Sequence, residues 1–282
     1  APRAGDRSLG AHVSRPRGRV RAAVSTLTAR SDFSLQTLIA GDAAGSKRTL
    51  GTVIVTGGAS GLGAAIADAV AAHGGTPVTF DIAPPRRARE YDHHLVDVAD
   101  RAAVERAIRA VAEKNGGALD AIVANAGMDA CGDFDQVSAE AWERVIQVNL
   151  IGTASLVRAA LPYLEKAANP RIVNVASTLG LRVLGAATAY SASKFGVVGL
   201  TRGLALDLAG RVGVTLLIPG GMNTHFFDGR DEQFKPSPDA FEKNQLNDPR
   251  EVAEAVVFAL TRPKGVEVRE LIVTPSRETS WP

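Results

Sequence analysis

The 282-residue chain carries 45% hydrophobic and 22% charged residues and a formal net charge of +2, the balance of a globular protein able to bury a sizeable core. So small a charge argues against nucleic-acid or membrane-surface binding, and no apolar run is read as approaching the ~20 residues that span a bilayer. The single cysteine, Cys131, excludes an intrachain disulfide framework and a multi-cysteine metal site, and fits a reducing, cytoplasmic setting.

Residues 1–48 carry Arg3, Arg7, Arg15, Arg17, Arg19, Arg21 and Arg30 against the acids Asp6, Asp32 and Asp42. An arginine-rich, acid-poor stretch has the composition of an organelle transit peptide. A basic, disordered extension is the favoured reading, because nothing in it makes a persistent amphipathic face. Residues 49–282 then alternate strands and helices. "TVIVTG" is a strand ending in glycine, "AAIADAVAAHGG" a helix with a glycine stop, and "TPVTFD" and "HHLVDV" two further strands. Asp100 is placed to cap the helix "DRAAVERAIRAVAEKNGG". "LDAIVANAG", "RIVNVAS" and "VTLLIPGG" continue the series, and "ELIVTPSRETSWP" adds a last strand. Continuous Val/Ile/Leu runs indicate strands buried on both faces, hence an α/β fold: a doubly wound, Rossmann-type parallel sheet with helices on both faces, as one domain. The five histidines show no ligand spacing, and adjacent His93 and His94 point to opposite faces of a strand, so no metal is expected.

"VTGGASGLG" joins the first strand to the first helix, with Gly57, Ser60, Gly61, Leu62 and Gly63 at the turn. Glycine lets backbone amides approach a pyrophosphate, and the helix N-terminus behind them favours an anion. Asp81 ends the second strand, where a carboxylate accepts hydrogen bonds from both hydroxyls of an adenosine ribose and repels a 2′-phosphate. NAD is therefore favoured over NADP. Arg86 and Arg87 stand against that preference, but after Pro84 and Pro85 they read first as a solvated turn.

Tyr190 and Lys194 stand one helical turn apart among small residues in "TAYSASKFG". A free phenol has a pKa of ~10, too high for a base near neutrality, and an ammonium on the same helix face favours its phenolate. The glycine loop, Asp97 and Val98, "NAG" (Asn125, Ala126, Gly127), Asn149 in "QVNL", Ser177 in "NVAS", Tyr190 with Lys194, and "PGGMNT" follow one another in order. This series resembles the short-chain dehydrogenase/reductase family, in its single-domain branch, over residues 49–282.

The resemblance implies an oxidoreductase acting on CH–OH groups, interconverting a secondary alcohol and a ketone with a nicotinamide cofactor. It makes Tyr190 the acid/base and gives Lys194 the tuning of the phenol and the nicotinamide ribose. Ser177 would bond the substrate oxygen, and Asn149 would hold a water of a proton relay. Asp97 and Val98 would flank the adenine and Asn125 the central part of the cofactor. Pro219, Gly220, Met222 and Thr224 would fix the carboxamide. Asn149 also reads as a satisfied structural amide, and Asp97 as the cap of a turn. Residues 128–132 and 179–184 (Leu179 among them), with the segment after Thr224 that begins His225, Phe226, Phe227, form the expected substrate side. That last segment reads as a loop or helix closing over a small-molecule alcohol or ketone. Cys131 reads as pocket wall and Arg182 as solvated. An NADPH-dependent 3-oxoacyl reductase and a non-catalytic NAD sensor or scaffold are the alternatives. The apolar helices "GTASLVRAALPYLEKA" and "AYSASKFGVVGLTRGLALDLAG" lead to the expectation of a homotetramer or homodimer.

Overall fold

Strand β1 (Thr52–Thr56) is buried along its whole length because its side chains alternate between two cores, Val53 and Val55 facing one and Ile54 the other. The same alternation recurs in β4 (Ala121–Ala124) and β5 (Arg171–Val175), where Val123 and Val173 join the first core and Ile122 and Ile172 the second. With β2 (Thr76–Asp81), β3 (His93–Leu95), β6 (Gly213–Pro219) and β7 (Glu270–Val273) they form a seven-stranded sheet of order β3-β2-β1-β4-β5-β6-β7. Every pairing is parallel. The computed structural model describes residues 50–278, all within the compact unit Arg48–Pro282; the extension read over residues 1–48 lies outside the described residues.

Helices close both faces. On one, α1 (Gly61–Ala72) and α6 (Pro249–Leu260) bury Leu62, Ile66, Val252 and Val256. On the other, α2 (Arg101–Lys114) and α4 (Thr153–Leu164) bury Ile108, Leu156 and Leu164. There too α5 (Thr188–Asp207) lays Val197 and Val198 against Leu216 and Ile218 of β6. Asp100 caps α2 as expected, its Oδ1 accepting the Ala103 amide at 3.0 Å. His93 and His94 diverge as adjacent strand residues do: His93 meets Thr79 Oγ1 at 2.9 Å, while His94 sets its ring against Phe80.

Two expectations change. The strand read through "HHLVDV" stops at Leu95, because Asp97 turns the chain by accepting the Ala99 amide at 2.9 Å. One helical stretch, Ala139–Leu164, is 26 residues long and apolar enough by length and composition to cross a membrane, contrary to the reading that no run approaches that size. It comprises α3 (Ala139–Ile146), a π-helical segment Gln147–Gly152 and α4, and its buried residues Val145, Val148, Leu156, Val157 and Leu164 pack into the described fold.

The chain adds β2 and β3 to one side of β1 and then returns to place β4 on the other. Connections from β1 and β4 therefore diverge at the carboxyl ends of these strands and leave a crevice between them. Thr56 bridges this gap: its Oγ1 accepts the amides of Asn125 and Ala126, each at 3.0 Å, and its carbonyl accepts Asn125 Nδ2 at 2.9 Å. Gly63 seats α1 against the same junction, since a Cβ there would stand 2.1 Å from the Gly57 carbonyl oxygen. Backbone cannot yield as a side-chain tip does, so Gly63→Ala is expected to lower stability by about 1–3 kcal/mol. Urea unfolding measures this, and an unchanged midpoint contradicts the packing.

Candidate active site

A cavity of about 960 Å³ opens at the carboxyl ends of the strands. At one end stands the glycine loop. Gly57 and Gly61 have φ of +71° and +53°, the left-handed region where a Cβ is disfavoured. The loop is stitched to β2, with the Gly57 amide on the Phe80 carbonyl at 2.8 Å. Ser60 begins α1 without a side-chain cap bond, and no acid occupies the first turn, which leaves the amides of that turn to an anion. Ser60, Gly61 and Leu62 line the cavity, and Gly63 packs behind them on the Gly57 carbonyl.

Asp81 lies at the rim. Its carboxylate accepts the amides of Ala59 at 2.9 Å and Ala83 at 3.2 Å, and a carboxylate has lone pairs left for two hydroxyls. Arg86, read as part of a solvated turn, is exposed but also borders the cavity, because its amide donates to the Ala59 carbonyl at 3.1 Å and folds the turn back. Asp97 caps a turn and, with Val98, also lines the cavity. Burial pushes its carboxyl up, but the Ala99 amide and the Arg144 guanidinium, at 2.6 Å, together hold it below the usual range.

Asn125, Ala126 and Gly127 line the middle, and Ser177, Tyr190 and Lys194 converge at the far end. Ser177 leaves β5 as the cap of a 3-10 turn, Oγ accepting the Leu179 amide at 3.1 Å, and its hydroxyl favours the ionised form of the Tyr190 phenol. Lys194 is 4% exposed. Its Nζ lies 5.6 Å from the Tyr190 ring centroid and donates to the Val175 carbonyl at 2.9 Å. Burial dominates both groups: the phenol is pushed up to about 12, against the opposing effect of Ser177, and the ammonium is lowered to about 8. Desolvation disfavours the charged form of each group, and Lys194 is not among the groups that shift the phenol here.

Asn149 does not line the cavity. It sits in the π-helical segment with no exposure, a wide turn that carries its side chain inward. Oδ1 accepts the Met128 amide, and Nδ2 donates to the Met128 carbonyl and Ser193 Oγ, each at 2.9 Å. Both amide hydrogens are thus spent in fixing the loop after β4 to α5. One lone pair of Oδ1 remains, on the side where a Cβ at Gly127 would meet Oδ1 at 3.4 Å and Lys194 Nζ at 3.6 Å.

Pro219, Gly220, Met222 and Thr224 also line the cavity, and Thr224 stands beside the glycine loop, where a Cβ at Gly61 would meet its Cβ at 3.4 Å. Leu179, Leu184, Cys131 and Phe226 line it too, whereas Leu181 packs on the core under α5 and Val183 and Arg182 are exposed. The Cys131 thiol is pushed up to about 12, by burial first and then by Asp129. After Thr224 the chain forms two 3-10 turns, His225–Phe227 and Glu232–Phe234, joined by irregular backbone. Phe226 leans on Tyr190 with ring centroids 5.5 Å apart.

Three residues here were not signalled by the sequence. Asp129 and Arg230 form a nearly buried ion pair across 101 positions. Glu278, near the chain's end, accepts the Gly221 amide at 3.0 Å and props the 219–224 loop. The tail read as a last strand thus also reaches its own chain's cavity, at Glu278. Their one sequence signal is charge, which most surface residues share.

A sequence model of the short chain dehydrogenase family matches residues 51–234. An uncharacterized oxidoreductase of Staphylococcus saprophyticus is 33% identical over 234 residues, covering 79% of this chain and 96% of that protein. Among solved structures, the ligand-free aldohexose dehydrogenase of Thermoplasma acidophilum superposes with a TM-score of 0.72 at 30% identity, over 79% of this chain and 91% of the other. An alcohol dehydrogenase of Thermococcus sibiricus, complexed with 5-hydroxy-NADP, gives 0.70 at 26% identity, over 80% and 97%. With its parallel sheet, its crevice at the strand-order reversal and its matched sequence, the chain belongs to the short chain dehydrogenase family of oxidoreductases.

Proposed function

We propose that this protein is an NAD(H)-dependent oxidoreductase that interconverts a secondary alcohol and a ketone. The observation that carries the reading is the placement of Ser177 and Lys194 about the Tyr190 phenol at one end of a cavity whose other end holds the glycine loop and Asp81. A dinucleotide fits the residues there: positive-φ glycines leave a cradle without Cβ atoms, α1 begins with no side-chain cap, and a rim carboxylate retains acceptor capacity. Gly57, Ser60, Gly61 and Leu62 would hold its pyrophosphate, Asp81 its ribose, Asp97 and Val98 its adenine, and the 219–224 loop its carboxamide.

A nicotinamide, when bound, supplies the hydride acceptor or donor. The rest belongs to the chain. In oxidation the substrate hydroxyl gives its proton to the Tyr190 oxygen while Ser177 Oγ holds the substrate oxygen and offsets its developing charge. Lys194, anchored on the Val175 carbonyl, gives the phenolate a cationic neighbour. Through its remaining Oδ1 lone pair Asn149 would take a relay water near Nζ. Leu179, Leu184 and Phe226 give the substrate end apolar walls. Exposed Ile151, Phe195 and Leu206 beside or on α4 and α5 support association into a homotetramer or homodimer, and the lone free thiol supports a cytoplasmic setting. Arg86 at the rim favours a second reading in which the cofactor is NADP, as in a 3-oxoacyl reductase.

Tyr190→Phe should lower turnover by about 10²–10⁴-fold and keep NADH binding, followed at 340 nm over a panel of cyclic, aliphatic, hydroxyacyl and polyol alcohols. Full turnover in the variant would refute the assignment. Asp81→Ser should shift preference from NAD⁺ toward NADP⁺; a parent already preferring NADP⁺ would favour the second reading.

The buried pair also sets a pH dependence of stability. Lys194 titrates at about 8 in the fold and ordinarily at 10.5, so its contribution is present above 10.5 and is lost as pH falls to about 8. Tyr190 acts oppositely: its contribution is present below 10.0 and is lost as pH rises toward about 12. Urea midpoints should therefore rise from about pH 8 to pH 10 in the parent and lose that rise in Lys194→Met; a rise that persists would place Lys194 in water.

A further inference from the structure

Asp129 and Arg230 belong to no helix or strand, one in the loop after β4 and the other between two 3-10 turns. Yet the Asp129 side chain is 4% exposed and that of Arg230 15%. The carboxylate is fully engaged, with Oδ1 on the Ala130 amide at 2.7 Å and Oδ2 shared by the guanidinium and the Cys131 thiol, the latter at 3.1 Å. Arg230 in turn donates to the Phe234 carbonyl at 3.3 Å, and its guanidinium carbon lies 4.6 and 5.4 Å from the ring centroids of Phe227 and Phe226. Phe226 rests on Tyr190. A continuous series of contacts thus runs from Asp129 through Arg230 and Phe226 to the phenol, and it is the one buried ion pair that ties the 225–234 segment to the sheet among the described residues.

An anionic substrate is a poor explanation for Arg230, whose charge is already matched by a buried carboxylate. A purely structural pair is also a poor fit, because surface-loop segments are held at lower cost by apolar contacts than by desolvated charges. We propose that Asp129 and Arg230 are a positioning pair for Tyr190, holding Phe226 and its segment over the phenol while balancing the charge beside it. This rests on the reading of Tyr190 as the acid/base.

The charges act on the phenol in opposite directions, Asp129 raising its proton affinity and Arg230 lowering it. The other groups facing it are few. Ser177 lowers its proton affinity from the end of β5, and Lys194 lies a turn along α5. Cys131, beside Asp129, is held in its neutral form. His225, on the closing segment, is half exposed and paired with Asp228 at 2.8 Å. Removing one member of the ion pair leaves the other as an uncompensated charge in a region of low dielectric.

The test is the pH profile of kcat/KM for alcohol oxidation in Asp129→Asn, Arg230→Gln, the double variant and Arg230→Lys. Asp129→Asn should move the rising limb down by about one pH unit and Arg230→Gln up by a similar amount, and the double variant should return toward the parent. Arg230→Lys keeps the charge but loses the planar stacking on two rings, so it should keep the parent's limb and raise KM. Limbs that stay fixed, or that move the same way in both single variants, overturn the proposal. Phenolate absorbance of the unliganded proteins, with Tyr190→Phe subtracted, separates this from the functional reading. An earlier-ionising phenol in Asp129→Asn supports the pair's role even where no alcohol is oxidised, and an unchanged one overturns it.

Discussion

The hydrogen bonds of Thr56 to Asn125 and Ala126 hold together the two strands between which the chain reverses its direction of growth. Everything at the cavity is placed from that junction. The glycine loop leaves β1 on one side of it, and the Asn125–Gly127 backbone leaves β4 on the other. Gly63 seats α1 against the Gly57 carbonyl. Asn149, buried in a π-helical turn, ties the loop after β4 to Ser193 on α5, and α5 carries Tyr190 and Lys194. The sheet thus fixes the groups to one another through a short series of polar contacts, buried or partly buried.

The electrostatic state of the far end follows from burial more than from pairing. Burial raises the phenol to about 12 and lowers the ammonium to about 8, disfavouring the charged form of each. This is the resting state expected of two groups desolvated together. On the proposed reading, Lys194 alone does not make Tyr190 a base. Further positive charge, brought close and shielded from water, is needed to reverse the order. The neutral Asp129–Arg230 pair sits where either of its members alone would bias that reversal.

Much of this was legible in the sequence, for physical reasons that differ by element. The strands were visible because both faces of a parallel sheet are buried, so their residues read as unbroken apolar runs; β2 begins and ends where "TPVTFD" does. Asp100 was visible as a cap because its bond is local, three residues long. Gly57 and Gly61, Asp81, Ser177, Tyr190 and Lys194 were visible because their chemistry constrains residue type. Gly63, read with them at the same turn, packs against the Gly57 carbonyl. Asp129 with Arg230, and Glu278 with Gly221, were not visible, since they meet across 101 and 57 positions through irregular backbone that has no periodicity. The apolar set at 179–184 divided because a 3-10 turn gives no repeating face: Leu179 and Leu184 reach the cavity, Leu181 the core and Val183 solvent. The length of the apolar stretch Ala139–Leu164 was underestimated because the helix read there began at Gly152, whereas α3 and a π-helical segment extend it backwards.

The central claim is that Tyr190 is a protonated phenol in the free protein and becomes a base only when cofactor fills the cavity. Calorimetry of NAD⁺ binding near pH 7, below the Lys194 value of about 8 so that the ammonium is already charged, repeated in buffers of different ionisation enthalpy, counts the protons released. The account predicts release in the parent and a smaller release in Tyr190→Phe. Equal release in both, or none in either, would contradict it.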